Sequence, residues 1–170
     1  MNRAPLLIAL AGLPGSGKST LAGALATRLG AVWLRIDTIE QAIRDAGVLE
    51  GEVGPAGYLV GYGIAATNLR LGHVVIADSV NPLTITRDAW RDVAVQAGAR
   101  CVEVEVVCSD PVEHRRRVET RAIDIAGLTP PSWDAVVGRA RDAWTRQPLV
   151  VDTAGRAIDA CVTEVIAAIG

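Results

Sequence analysis

The chain has 170 residues, a formal net charge of −2 at pH 7 and a composition that is 50% hydrophobic. This length suits one α/β domain with a sizeable core, and the balanced charge excludes the broad basic surface typical of nucleic-acid-binding proteins. No stretch approaches the about 20 apolar residues of a membrane-spanning helix or resembles a signal sequence, so we expect a single cytoplasmic domain (1–170) without membrane contact.

The cysteines and histidines give no sign of a metal cage. Cys101, Cys108 and Cys161 are odd in number and lie in apolar segments, which predicts buried free thiols. His73 and His114 are scattered along the chain. We therefore expect no site of the zinc type.

The first predicted strand, APLLIALAG, leads into the loop GLPGSGKST at residues 12–20 and then into a helix with Leu21, Leu25 and Leu29 at helical spacing. Strand, G-x-x-x-x-G-K-S and helix are the pattern and context of a P-loop. Lys18 is the one lysine among 17 basic residues, and a compact ammonium fits a loop of backbone N–H groups where a guanidinium does not.

The loop predicts a binding site for Mg·ATP. Lys18 would contact the β- and γ-phosphates, and Ser19 would give a hydroxyl to Mg²⁺. The residues expected to bind the nucleotide are Gly12, Leu13, Pro14, Gly15, Ser16, Gly17, Lys18, Ser19 and Thr20 in the loop, with Arg117 and Asp152 elsewhere.

Further along the chain, strand and helix patterns alternate. Strands are predicted at 31–37, 73–80, 100–108 and 148–154. Helices are predicted from Thr38, over 54–72, from Pro82, over 110–121, over 132–144 and at the end of the chain. This alternation predicts a parallel sheet covered by helices on both faces.

Ligands of such sheets bind beyond the carboxyl ends of the strands, where this chain places four aspartates. We expect Asp110 to cap a helix and Asp152 to shape the loop beside the nucleotide base. Asp78, which ends the apolar run VVIAD, is predicted to serve Mg²⁺. Asp37 is predicted to accept the proton of an acceptor hydroxyl. The two roles are interchangeable at this stage, and Asp37 has helix capping as its alternative.

An arginine-rich helix, EHRRRVETR, precedes a connector that contains glycine and prolines. Arg117 and Arg121 lie four residues apart on one face of this helix. We expect a lid at about 117–131 that brings both arginines onto the transferring phosphoryl group. The alternative is a solvated surface helix with Glu113 and Glu119 as ion-pair partners.

Four other residues are candidates for binding the acceptor. Arg44 could hold an anionic acceptor, although a solvated arginine is as compatible with the sequence. Tyr58 and Tyr62 could stack on a ring, with core packing as the commoner fate of such a pair. Asn81 could orient Asp78 or contact the substrate, with a simple turn role as its alternative.

Taken together, GLPGSGKST, RIDTIEQAIR, VVIADSVNP with Arg87 downstream, SDPVEHRRRVETR and PLVVDTA resemble the small P-loop kinases of the adenylate-kinase-like group. Gluconate kinase, chloramphenicol phosphotransferase, zeta toxins and polynucleotide kinase belong to this group. The resemblance implies a three-layer fold with a five-stranded parallel sheet in the order 2-3-1-4-5, Mg·ATP as the donor, a lid between Arg117 and Pro131, and an acceptor-side aspartate at Asp37. The chain lacks the D-G-F/Y-P-R sequence of nucleoside monophosphate kinases.

The predicted activity is therefore transfer of the γ-phosphate of ATP to a hydroxyl of a small molecule. A GTPase is excluded because no second lysine can supply N-K-x-D, and a hydrolytic motor is disfavoured because Ser79, not Glu, follows Asp78. A kinase for nucleic-acid 5′-ends or nucleotides, and an ATP-binding regulatory protein without efficient transfer, are the alternatives. The oligomeric state is not specified by the sequence.

Overall fold

A computed structural model of the protein describes residues 4–48 and 51–170. The strands are β1 (Leu6–Ala11), β2 (Val32–Arg35), β3 (Val74–Asp78), β4 (Arg100–Val107) and β5 (Leu149–Asp152). The helices are α1 (Lys18–Leu29), α2 (Ile36–Asp45), α3 (Ala56–Arg70), α4 (Thr84–Gln96), α5 (Pro111–Thr120), α6 (Trp133–Val137) and α7 (Ile158–Ile169).

The five strands form one parallel sheet in the order β2-β3-β1-β4-β5, which confirms the predicted topology. Continuous apolar runs form the central strands β1 and β3 because both faces of these strands are buried. Alternate residues of β1 enter two hydrophobic clusters, with Ile8 among the side chains packed by α1 and α7 and Leu7 among those packed by α3 and α4. Helices therefore cover both faces of the sheet.

Helices α2 and α3 approach closely because α3 carries glycine at two contact positions. A Cβ at Gly61 would lie 2.6 Å from Ile36 Cδ1, and one at Gly57 would lie 2.4 Å from Glu40 Cγ. The two glycines are four residues apart from each other and therefore lie on the same face of α3. The glycines that weaken the helical pattern in the sequence are thus the residues that bring the start of α2 against α3.

Two predicted boundaries were wrong. Strand β2 ends at Arg35 and helix α2 starts at Ile36, so Asp37 lies in the first helical turn and not at a strand end, and Thr38 does not begin the helix. The helix predicted over 132–144 spans only Trp133–Val137 and ends at Gly138.

The residues after α6 leave the helical path because tertiary contacts hold their polar groups. Asp142 donates its backbone N–H to Pro82 O and accepts the Thr84 N–H at 2.7 Å. Arg146 binds Glu103 and Asp88 at 2.6–2.9 Å. These bonds also explain the acidic residue Glu103 in the middle of β4, which the sequence alone leaves unexplained. None of the helices among the described residues is both long and apolar enough to cross a membrane.

Candidate functional site

A cavity of about 1210 Å³ lies beyond the carboxyl ends of the strands, where the fold places ligands. It is lined by the loop after β1, the start of α2, the end of β3, the end of α5 with the segment that follows it, and the loop after β5. The predicted site residues that line it are Leu13, Pro14, Gly15, Gly17, Lys18, Ser19, Thr20, Asp37, Tyr58, Arg117 and Arg121.

The P-loop (residues 12–19) has a backbone that only glycine adopts easily. Gly15 and Gly17 have φ angles of 82° and 91°, in the left-handed region. Gly17 is also the N-cap of α1, and no side chain caps this helix. The backbone N–H groups at the start of α1 therefore have no side-chain acceptor within the described chain, and they form the kind of anion site that phosphates occupy at helix N-termini.

Lys18 and Asp78 form a buried ion pair at the base of this loop. Lys18 Nζ lies 3.1 Å from Asp78 Oδ1, with both side chains less than one tenth exposed. The other carboxylate oxygen, Oδ2, accepts a hydrogen bond from Trp33 Nε1 at 3.2 Å. Asp78 is thus held from two sides, with Oδ1 bound by Lys18 at the end of the P-loop and Oδ2 bound by Trp33 of β2.

The side chain of Arg117 attaches helix α5 to the loop after β5. Its guanidinium donates to Thr153 Oγ1 at 2.7 Å, to Thr153 O at 2.9 Å and to Glu113 Oε1 at 2.7 Å. Thr153 Oγ1 in turn donates to Ser16 O at 2.7 Å. Arg117 therefore belongs to a helix that is bonded to the P-loop through Thr153, and the irregular connector begins only after Thr120.

Two further contacts support the nucleotide side of the cavity. Asp152 accepts the N–H groups of Ser109 and Ala154, both at 3.0 Å, and the Ser109 side chain, followed by these bonds, lowers the pKa of its carboxyl. Asp152 thus fixes the backbone after β5, while its side chain does not line the cavity.

His114 Nε2 lies 2.9 Å from Pro14 O, and its ring packs edge-on against Trp133. Asp110 accepts the N–H groups of Val112 and Glu113, which confirms its role as a helix cap.

The connector after α5 (residues 121–131) contributes residues to the lining of the cavity, and we refer to it as the cover. Arg35 at the end of β2 makes two hydrogen bonds to the Asp124 carboxylate, at 2.5 and 3.0 Å. Burial lowers the pKa of Arg35, but the hydrogen bond to Asp124 and the negative charges of Asp124, Asp78 and Asp37 together outweigh burial, and the pKa is raised. The same bond lowers the pKa of Asp124. A bidentate ion pair therefore holds the connector against the sheet.

Asp37 and Glu40 lie together at the α2 end of the cavity. No side-chain hydrogen bond joins Asp37 to another described residue, and its carboxylate is half-buried. Burial raises the pKa of Glu40, and the negative charge of Asp37 raises it further. The Tyr58 hydroxyl, nearby on α3, accepts the backbone N–H of Asn81 at 3.2 Å.

Three predicted acceptor residues lie away from this cavity in the part of the chain that the structure describes. Arg44 contacts Glu40 at 3.5 Å and is largely exposed. Tyr62 packs edge-on against the buried Trp90, and burial raises its pKa to about 12. Asn81 is buried with a left-handed φ of 53°, and it lines a smaller cavity of about 220 Å³ behind the P-loop.

Several lining residues were missed by the sequence reasoning. Trp33 and Arg35 depend on the pairing of β2 with β3, which sets Arg35 opposite Asp78 and is invisible in local patterns. Glu40 follows Asp37 by three residues, so helical spacing alone would have found it. Arg139 lines the cavity from the segment after α6, and no signal in the sequence distinguishes it from other surface arginines.

Comparison with known structures identifies solved proteins that share this fold. APS kinase from Mycobacterium tuberculosis, solved with AMPPNP and APS, superposes with a TM-score of 0.72 at 22% identity and covers 98% of both chains. Kti12 from Chaetomium thermophilum, solved with ADP-AlF3, gives 0.69 at 21% identity over 96% of this chain and 99% of that one. A gluconokinase from Sinorhizobium meliloti gives 0.64 at 20% identity over 97% and 91%. These similarities establish a P-loop NTPase fold.

The sequence comparisons give relatives and a family. Uncharacterized proteins of Mycobacterium bovis and Mycobacterium tuberculosis are 31% identical over an alignment of 169 positions that covers 88% of this chain. The chain spans only about a third of their length, 32%. The family model described as an AAA domain matches residues 7–127. This range includes the P-loop, Asp37, Asp78, Arg117 and Arg121. On this match, the chain belongs to that AAA domain family of P-loop proteins.

Proposed function

We propose that this protein is an ATP-dependent phosphotransferase that moves the γ-phosphate of Mg·ATP to a hydroxyl of a small-molecule acceptor. One observation carries the proposal: a single cavity is lined by Lys18, which the buried Asp78 holds in an ion pair, by the open N-terminus of α1, and by Asp37, which makes no side-chain hydrogen bond to the described residues. A P-loop protein that only hydrolyses or senses ATP does not need a second compartment with a free base.

The residues on the phosphate side of the cavity fit Mg²⁺. The Ser19 hydroxyl lines the cavity and makes no side-chain hydrogen bond to the described residues. Asp78 has both oxygens engaged by Lys18 and Trp33, which suits a carboxylate that acts through a bound water. These are hard oxygen donors of the kind this ion prefers. When bound, Mg²⁺ would neutralise charge on the β- and γ-phosphate oxygens.

In the proposed reaction, Asp37 accepts the proton of the acceptor hydroxyl while the hydroxyl oxygen forms a bond to the γ-phosphorus. The bond between the γ-phosphorus and the β–γ bridging oxygen breaks, and ADP leaves with the electron pair. Lys18, Arg117 and Arg121 offset the negative charge on the transferring group. The cover formed by the connector would exclude water, so that the acceptor and not water receives the phosphoryl group.

The proposal is tested by ADP release and by mass spectrometry of candidate acceptors. We expect an acceptor-dependent ADP release with a phosphorylated product, and we expect Lys18→Ala to abolish tight ATP binding with the fold intact. Arg28→Ala, in the last turn of α1, is the matched control. Unchanged ATP affinity in Lys18→Ala would contradict the nucleotide site. ADP release that no acceptor stimulates would favour the regulatory alternative, and phosphorylation of nucleic-acid ends or nucleotides would favour the other kinase class.

A further inference from the structure

The acceptor end of the cavity carries two carboxylates on one face of α2. Asp37 and Glu40 are three residues apart, and both line the cavity. Within the described chain Asp37 makes no ion pair, and Glu40 has only Arg44 as an ion-pair partner, at 3.5 Å and with the arginine side chain 45% exposed. An exposed pair of this kind contributes at most about 1 kcal/mol. Among the described residues, neither carboxylate therefore has a buried ion-pair partner.

The position of Glu40 is built into the fold. Gly57 is buried in α3, and a Cβ there would lie 2.4 Å from Glu40 Cγ and 3.1 Å from Oε1. Because Gly57 has no side chain, the Cγ of Glu40 can occupy the space beside it. The carboxylate is thus held beside the cavity, although a surface glutamate in the first turns of a helix normally extends into water.

The arginines around Glu40 compensate its charge only in part. Burial raises the pKa of Glu40 and Asp37 raises it further, while Arg44 and Arg139 act in the opposite direction without reversing the shift. Arg35, the other cation at the start of α2, is bound by Asp124. A positively charged group on a ligand would complete the compensation of the Glu40 charge.

An unpartnered polar group faces the same compartment. Ser79 lines the cavity and is 3% exposed, and its Oγ has no hydrogen-bond partner in the described residues. The Tyr58 hydroxyl lies near enough for Ser79 to affect its pKa, but the two hydroxyls do not meet the geometry of a hydrogen bond. A buried hydroxyl without a partner costs free energy that a bound ligand can recover.

We propose that the acceptor carries a protonated amine close to the hydroxyl that is phosphorylated, with Glu40 as the ligand of the ammonium group, Asp37 as the base and Ser79 as a further hydrogen-bonding partner. The class is that of amino sugars, aminocyclitols and amino alcohols. A carboxylate or phosphate on the acceptor would meet Asp37 and Glu40 with like charge, and a neutral polyol would leave Glu40 uncompensated. This inference rests on the proposed phosphotransferase activity.

The test uses matched trios of acceptors that differ in one group: glucosamine, glucose and glucuronate; serinol, glycerol and glycerate; ethanolamine, ethylene glycol and glycolate. ATP-dependent phosphorylation is measured as kcat/KM for the wild-type protein, Glu40→Gln and the control Asp92→Asn, an exposed residue of α4. We expect the amine to be the best member of each active trio. Glu40→Gln should reduce its advantage over the neutral member by about 10- to 100-fold, the worth of a charge-assisted hydrogen bond, and Asp92→Asn should not.

The outcomes separate this inference from the function on which it rests. Preference for the neutral or acidic members, or an equal effect of Glu40→Gln on all three, would overturn the amine class while leaving the phosphotransferase intact. Transfer to none of the amines, by a protein that binds Mg·ATP through Lys18, would also overturn it. If the wild-type protein did not bind Mg·ATP, or if Lys18→Ala bound it equally well, the proposed function itself would have failed.

Discussion

Trp33 Nε1 donates a hydrogen bond to Asp78 Oδ2 at 3.2 Å while Lys18 Nζ holds Oδ1 at 3.1 Å, so one carboxylate joins the indole of β2 to the lysine of the P-loop. The indole ring also packs against α1, where a Cβ at Gly23 would lie 3.2 Å from it. Asp78 is thereby prevented from rotating toward solvent, and the orientation of Lys18 depends on a residue of the outer strand.

This relationship predicts the effect of Trp33→Phe. Phenylalanine keeps a ring against Gly23 but removes the N–H, which leaves Asp78 Oδ2 without its donor. Because the Asp78 side chain is only 1% exposed, we expect a loss of about 1–3 kcal/mol in the free energy of unfolding, measured by urea denaturation. Turnover should fall more than ATP affinity, because the carboxylate loses its orientation. Wild-type turnover in Trp33→Phe would show that Lys18 alone orients Asp78.

The two arginines of the lid region should differ in what they do. Arg117 is bonded to Thr153, so Arg117→Ala should weaken ATP binding as well as turnover. Arg121 lines the cavity just beyond the end of α5, and Arg121→Ala should lower kcat by about 10²–10³-fold with a smaller change in the KM for ATP. Steady-state kinetics with Arg116→Ala, an exposed neighbour, as the control would distinguish them. Equal kinetics for all three variants would reduce this helix to a solvated surface.

The ion pair between Arg35 and Asp124 should hold the cover closed. Asp124→Asn is expected to increase amide hydrogen exchange over residues 123–131 relative to the control Asp92→Asn. Because the pKa of Asp124 is lowered by its bond to Arg35, the contact is present above the usual carboxyl range. It is lost only as the pH falls through that lowered value. Exchange that is the same in Asp124→Asn and wild type would mean that other contacts keep the connector in place.

Glu40→Gln should make the folded protein more stable near neutral pH. The pKa of Glu40 is raised in the folded state, so ionisation of this residue opposes folding, and its cost develops as the pH rises through the interval between the unfolded and folded pKa values. We expect a higher melting temperature than wild type at about pH 7 and no such gain at about pH 3, where both states carry a protonated carboxyl. A lower melting temperature at neutral pH would instead indicate that Glu40 is stabilised by its neighbours.

The sequence predicted the parts of this fold that depend on local patterns. Buried strands, amphipathic helices and the P-loop can be recognised from periodicity and from glycine and lysine positions, and the strand order followed from resemblance. The start of α2 at Ile36 and the early end of α6 at Gly138 were missed because hydrophobic periodicity does not mark a helix boundary. After α6, the bonds of Asp142 and Arg146 to other elements override helix propensity.

The candidate site was predicted less completely than the fold. Lys18, Asp37, Asp78 and Arg117 were identified from their positions in motifs, but the residues that hold them were not. Trp33 meets Asp78 only because β2 pairs with β3 in a particular register, and Glu40 is fixed by a glycine on another helix. Such contacts depend on the packing of elements distant in sequence, so no local pattern contains them.

We propose that Asp37 acts as the base toward an acceptor bound in the same cavity as ATP. It is tested most directly by the acceptor-dependent turnover of Asp37→Asn at saturating Mg·ATP. We predict a fall of about 10²–10⁴-fold in turnover, the usual contribution of a positioned base, with ATP affinity near that of the wild type. An Asp37→Asn protein that phosphorylates its acceptor at the wild-type rate would contradict it.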